Sequence, residues 1–139
     1  MNLAAVRWIS IPHAADDRGT LTAIEGSTLP FELKRVFYMH GVPCGCERGA
    51  HAHRHTQQVV VAAAGSFRMD VSDGAESRTF VLDDPNRGLY LPAMTWLRLY
   101  DFVPGTVVLV LCDREYVREH VVRGWDAYRA LVRETPVTA

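Results

Sequence analysis

The stretch RGAHAHRHTQQVVVAAAGSFRMDV, residues 48–71, decides the fold. Nothing in it repeats at a helical period. On an extended chain side chains two apart share a face, so His51 and His53 point together, with His55 next in that series. Gln58 to Ala64 then reads as a buried strand of β-branched and small apolar residues that ends at Gly65. Ser66 to Val71 alternates, as a half-buried strand does.

The same grammar continues on both sides. Upstream, Val6 to Ile11 is an apolar run closed by Pro12, Asp16 to Gly19 is a turn, and Thr20 to Ile24 follows as a strand. Leu33 to Met39, with Val36, Phe37 and Tyr38 at its centre, is β-branched and aromatic, and Gly41 to Gly45 is a loop. Downstream, Asp73-Gly74 marks a hairpin whose returning strand is Thr79 to Leu82. Gly88 to Leu91, Trp96 to Phe102 and Val107 to Leu111 complete the series. Roughly nine or ten short strands separated by turns predict a sandwich or closed barrel. Only near the end does a helical stripe emerge, with Val121, Trp125, Tyr128 and Val132 at steps of four, three and four. With 139 residues and no repeat or linker, residues 1–139 read as one all-β domain with a short C-terminal helix.

Composition narrows the function. A net charge of −1 gives no field to draw in nucleic acid or an anionic membrane, and neither is an expected partner. Fourteen of the fifteen basic residues are Arg, which is mainly a compositional bias and secondarily a hint of an anionic ligand. Three cysteines are too few and too odd for a disulfide framework, and no secretory leader or membrane span is visible. A cytoplasmic protein is the expectation.

Two imidazoles on one wall of a barrel can bind a metal, move protons, or simply pack. Metal-binding cupins follow His-x-His with a Glu ahead of a Gly, and place a further His five residues past a Pro. Here the Glu position is Gln58 and the second His position, counted from Pro92, is Leu97. An amide is a poor ligand and a hydrocarbon is none, so no metal or other cofactor is expected. Cys44 and Cys46 lack the Cys-x-x-Cys spacing of a zinc site.

With these residues in view, the sequence resembles the dTDP-4-dehydro-6-deoxyglucose 3,4-ketoisomerases, the WxcM-like branch of the cupins. The likeness runs through Asp17-Arg18-Gly19-Thr20-Leu21, Ile24-Glu25, Pro30-Phe31 and Lys34 to Tyr38. It continues through Arg48 to Arg54, Gln58, Gly88-Leu89-Tyr90, Trp96, Asp101-Phe102, Val108 to Leu111, Arg123 and Asp126. The resemblance implies a metal-free cupin jelly-roll barrel, a homodimer, that converts a dTDP-linked 4-keto-6-deoxy sugar to its 3-keto isomer on a route to bacterial polysaccharides or glycosylated metabolites. The chain departs from the pattern at Phe37, where Tyr is frequent, at Leu97, at Val117 to His120 and at Cys112.

Carbonyl migration needs a base at carbon, stabilised enediolate oxygens and a proton return. His51 is assigned as the carbon base and His53 as its partner between the oxygens; the reverse assignment stays open. Tyr38 is a candidate donor to an enediolate oxygen. Arg18, Arg35 and Arg48 are candidates for pyrophosphate and sugar contacts. Gln58 either bonds sugar hydroxyls or orients His51, and Trp96 is either pocket wall or core. The competing readings are an epimerase with the same base and a non-catalytic binder of a sugar nucleotide.

Overall fold

The computed structural model describes residues 3–134. Twelve strands are present among them: β1 (Arg7–Ser10), β2 (His13–Asp16), β3 (Gly19–Thr22), β4 (Arg35–His40), β5 (Arg48–His53) and β6 (Gln58–Ala64). They continue as β7 (Phe67–Ser72), β8 (Ser77–Leu82), β9 (Arg87–Leu91), β10 (Trp96–Tyr100), β11 (Val107–Cys112) and β12 (Val121–Arg123). One α-helix, α1 (Trp125–Glu134), follows.

Two five-stranded sheets carry the fold, in the orders β1-β9-β6-β11-β4 and β12-β5-β10-β7-β8. Every pairing is antiparallel. Between the sheets lies a continuous core that includes Val60, Phe67, Met69, Leu89, Leu97, Leu99 and Val108, all at or below 5% exposure. Each such side chain contributes roughly 1.5–3 kcal/mol by leaving water. The strand count implies a sandwich or closed barrel, and the two packed sheets take the jelly-roll form that the family resemblance implies. No helix among the described residues is long and apolar enough to cross a membrane.

Two elements differ from the sequence reading. The turn at Asp16 to Gly19 has a strand on each side, so β2 joins β3 in a separate two-stranded hairpin. Every residue of β2 is exposed, and its composition (His-Ala-Ala-Asp) carries no strand signal. At the other end Val121 is not helical. It lies in β12, opposite His53 of β5, because the edge of the second sheet offers it a partner. Gly124, at φ 92, then turns the chain into α1. The helix is held by aromatic packing: the Trp125 and Tyr128 rings lie 5.4 Å from that of Trp96. The Tyr128 hydroxyl donates its one hydrogen between two carbonyls, Met94 at 2.7 Å and Ser72 at 3.1 Å.

Candidate active site

A cavity of ≈ 360 Å³ opens between the sheets, lined by both polar groups and hydrocarbon. Its polar wall is His51, His53, Gln58, Glu47, Arg48 and Arg123; its apolar wall includes Phe37, Met39, Val60, Leu97 and Leu99. Strand parity explains the selection. On β5, His51 and His53 face inward and their rings meet edge to face with centroids 4.9 Å apart. Leu97 is directly opposite His51 in register on β10, and Arg123 faces the same histidine from β12.

An irregularity in β5 adds a further group to this wall. The pairing of β5 with β10 slips between Leu97 and Arg98, and Gly49 and Ala50 take positive φ values of 89° and 58°. A bulge of this kind rotates the residue before it relative to plain alternation. Arg48 therefore lines the cavity together with Gly49, His51 and His53.

Burial dominates the electrostatics of the pair. It lowers the pKa of His51, whose environment also contains the Arg123 and Arg48 charges; the pull of the Gly49 backbone partly offsets this. For His53 burial comes first, then the neighbouring His51 and the charges of Arg35 and Arg123, and the pKa falls to about 4. Both rings are thus neutral near pH 7, the state a general base requires. His51 Nδ1 is shut off from solvent with no hydrogen-bond partner of normal geometry, which leaves Nε2 as the nitrogen available to the cavity.

The candidates from the sequence divide. His51, His53, Gln58 and Arg48 come together in one cavity. Arg35 stands at its edge, with its guanidinium 4.4 Å from the Phe37 ring centre and 5.0 Å from that of Tyr116. Tyr38 does not join them: β4 alternates, so Phe37 and Met39 face inward while Tyr38 is 63% exposed on the other side. Trp96 likewise points away from the cavity, because Leu97 and Leu99 take the inward positions on β10 and Trp96 packs on α1. Arg18 lies at the tip of the β2–β3 hairpin and grips Asp16 at 2.7 Å, apart from the cavity walls. His55 falls beyond β5 and meets His120 instead, with ring centroids 4.8 Å apart.

Two polar wall residues were not among the site candidates. Arg123 was visible only as a family match, since its strand was read as helix. Glu47 precedes β5 and has no motif of its own. Its carboxylate accepts from Arg98 Nη1 at 2.6 Å, and Asp70 accepts from Arg98 Nη2 at 3.1 Å.

The residues are poor metal donors. Where a cupin metal site would place a carboxylate and a further imidazole, the wall presents the Gln58 amide and the Leu97 side chain. No group of three His, Cys, Asp or Glu side chains suited to an ion forms among the described residues.

Comparison with known proteins places the chain among relatives. The family model "FdtA: WxcM-like, C-terminal" matches residues 4–133. TDP-4-oxo-6-deoxy-α-D-glucose-3,4-oxoisomerase of Aneurinibacillus thermoaerophilus is 34% identical over 125 residues, covering 89% of this chain and 90% of its own. The crystal structure of QdtA, a sugar 3,4-ketoisomerase from Thermoanaerobacterium thermosaccharolyticum in complex with TDP, superposes with a TM-score of 0.91. Identity there is 33%, over 95% of this chain and 97% of that one. A His-to-Asn mutant of the same enzyme, in complex with TDP-4-keto-6-deoxyglucose, superposes equally well, TM-score 0.91, at 31% identity over 96% of this chain and 97% of that one.

Proposed function

Because the chain belongs to the WxcM-like family, we propose that it is a TDP-sugar 3,4-ketoisomerase acting on TDP-4-keto-6-deoxyglucose through its two cavity histidines. The observation that carries this reading is the pair of mutually contacting imidazoles on a cavity wall that also bears Arg48 and Arg123.

The chemistry follows from the substrate. The C4 ketone acidifies the hydrogen on C3, and His51 Nε2 removes it as a proton. The C3–H electron pair forms the C3=C4 double bond, and the carbonyl electrons pass to O4, giving an enediolate. A proton returned to C4 and a proton transferred from O3 to O4 complete the exchange. The product is a ketone at C3 and a hydroxyl at C4, with no net oxidation. His53, in contact with His51, relays the proton between the oxygens. Arg48 and Arg123 supply charge for the pyrophosphate. Arg35, whose charge is felt at His53, strengthens the same field.

Proton NMR of TDP-4-keto-6-deoxyglucose incubated with the enzyme in D2O tests the proposal. Expected is migration of the carbonyl to C3 with solvent deuterium appearing at carbon. Exchange without migration would make the protein an epimerase, and binding without exchange a non-catalytic receptor. The pH profile adds a signed expectation. The base must be neutral, and its pKa in the free enzyme lies below the ordinary histidine value of 6.5. The acid limb of kcat/KM therefore has its midpoint below pH 6.5. A midpoint at 7 or above would contradict the assignment.

A homodimer is part of the same reading. A lone two-stranded hairpin is marginal in water, yet β2 is exposed throughout and Leu21 of β3 is 68% exposed. Val36 and Tyr38 add apolar surface on the outer face of β4. A second copy covering these residues accounts for them, and it gives Arg18 a route to substrate, in the cavity of the neighbouring copy. Arg18→Ala then lowers kcat/KM by about 10–100-fold, the loss of one charge-assisted hydrogen bond. Mixed with a His51→Asn variant it recovers activity, since one site per mixed dimer regains both groups. No recovery after subunit exchange would place Arg18 outside the site.

A further inference from the structure

Gln58 and Cys112 stand opposite each other where β6 pairs with β11. Both are shut off from solvent, at 4% and 0% exposure. Gln58 Nε2 donates to Cys112 Sγ across 3.7 Å, and Gln58 is at the same time a wall of the cavity beside His51 and His53. The neighbouring residues on both strands lock this crossing. Asp113 accepts from the Gln57 backbone N–H at 2.8 Å and from Gln57 Nε2 at 3.0 Å. Tyr90 donates its hydroxyl to Gln57 Oε1 at 2.6 Å. With the strands pinned, thiol and amide are held together.

A primary amide has nearly the same shape at its two ends but opposite polarity, two donors on nitrogen and an acceptor on oxygen. Sterics therefore do not choose its orientation, and in the structure it is the nitrogen end that meets the sulfur. The reaction has a preference. The sugar's O3 hydroxyl surrenders its proton as C3 becomes a carbonyl, and an acceptor fixed beside it sets the direction of that O–H bond. We propose that Cys112 is a positioning residue for the ketoisomerase reaction: its sulfur engages the Gln58 amide nitrogen and so presents Gln58 Oε1 to the cavity as an acceptor for the substrate's O3 hydroxyl. This rests on the functional reading above and extends it to a residue that never touches substrate. Burial keeps the thiol uncharged by pushing its pKa up, so the contact remains a hydrogen bond between neutral groups.

The test uses Cys112→Ala, Cys112→Ser, Gln58→Ala and the double variant Cys112→Ala/Gln58→Ala. Cys112→Ala is expected to lower kcat about tenfold with KM and TDP affinity within about twofold. Cys112→Ser, which keeps a hydrogen-bonding group at that point, recovers most of the loss. In the Gln58→Ala background, removing the sulfur has no further effect on kcat, because the two side chains act as one unit. An unchanged kcat in Cys112→Ala, or a loss that adds in full on top of Gln58→Ala, overturns the proposal. A purely structural role would move the denaturation midpoint alone. Failure of the wild type to convert the sugar nucleotide would defeat the functional reading, whereas the amide's orientation has its own readout. The Gln58 side-chain amide in ¹⁵N-labelled protein is expected to show two well-separated hydrogens in slow exchange with water, converging on free-glutamine values in Cys112→Ala. An identical spectrum in both proteins overturns the sulfur's role.

Discussion

His51→Asn is expected to lose about 10³-fold in kcat on TDP-4-keto-6-deoxyglucose, while its Kd for TDP stays within about threefold. The asymmetry follows from the charge state of the site. Burial holds His51 neutral in the folded protein, so a neutral amide at that position leaves the field of Arg48 and Arg123 on the pyrophosphate as it was. What disappears is the nitrogen assigned to the C3 proton, and Asn offers no substitute base. His53→Asn separates the roles. If His51 is the carbon base, the His53 variant still exchanges the C3 hydrogen with solvent deuterium but moves the carbonyl slowly. Single-turnover NMR measures both rates, and calorimetric titration with TDP measures affinity. A fully active His51→Asn would remove the histidine from the mechanism. Deuterium exchange surviving in His51→Asn and vanishing in His53→Asn would exchange the two assignments.

The fold was legible because its strands are strongly patterned. Val59 to Ala64 is apolar throughout and, with Gln58, becomes β6, a central strand of its sheet. Ser66 to Val71 alternates and becomes β7, with Phe67, Met69 and Val71 on the core side. The reading failed where local pattern and tertiary partner disagree. Val121 satisfies a helical spacing with Trp125 and Tyr128, but three residues of backbone gain a strand neighbour by pairing with His53, Ala52 and His51. β2 is invisible for the opposite reason. No residue in it is buried within the chain, so no apolar signature marks it.

Legibility of the site depended on the same parity. His51 and His53 are two apart on a strand whose inward face is the cavity, and this much follows from the spacing. For β4 and β10 the sequence names the strand without saying which face is inward. Tyr38 and Trp96 were chosen by chemistry, and both fall on the outer face, while their neighbours Phe37 and Leu97 line the cavity. A one-residue difference in facing is all that separates the two sets. Glu47 and Arg123 enter the wall through long-range pairing, at the two ends of the β5 neighbourhood, and nothing local announces either.

Gly49→Ala is expected to be the most damaging single-methyl change at the site, costing about 2–4 kcal/mol of stability and most of the activity. Two costs combine. At φ 89° an L side chain is strained by roughly 1–2 kcal/mol. The added Cβ would also sit 2.9 Å from Leu97 Cδ1 and 3.0 Å from the Leu97 carbonyl oxygen, and a backbone atom bonded into β10 cannot give way. The strand can escape by straightening the bulge, but that undoes the step which lets Arg48 join His51 and His53 on the cavity wall. Gly45→Ala serves as the control. Its φ is similar, at 85°, but nothing lies within 4 Å of the added Cβ, so only the torsional cost remains. The two variants therefore differ by the close approach to β10, to Leu97 above all and to Leu99 Cδ1 at 3.3 Å. Urea midpoints with unchanged slopes give the stability difference, and kcat/KM shows whether the catalytic wall has shifted. Should Gly49→Ala prove no less stable than Gly45→Ala and equally active, the bulge would have slack enough to accept a methyl group. The tight seating of β5 against Leu97 would then have no part in aligning the histidines.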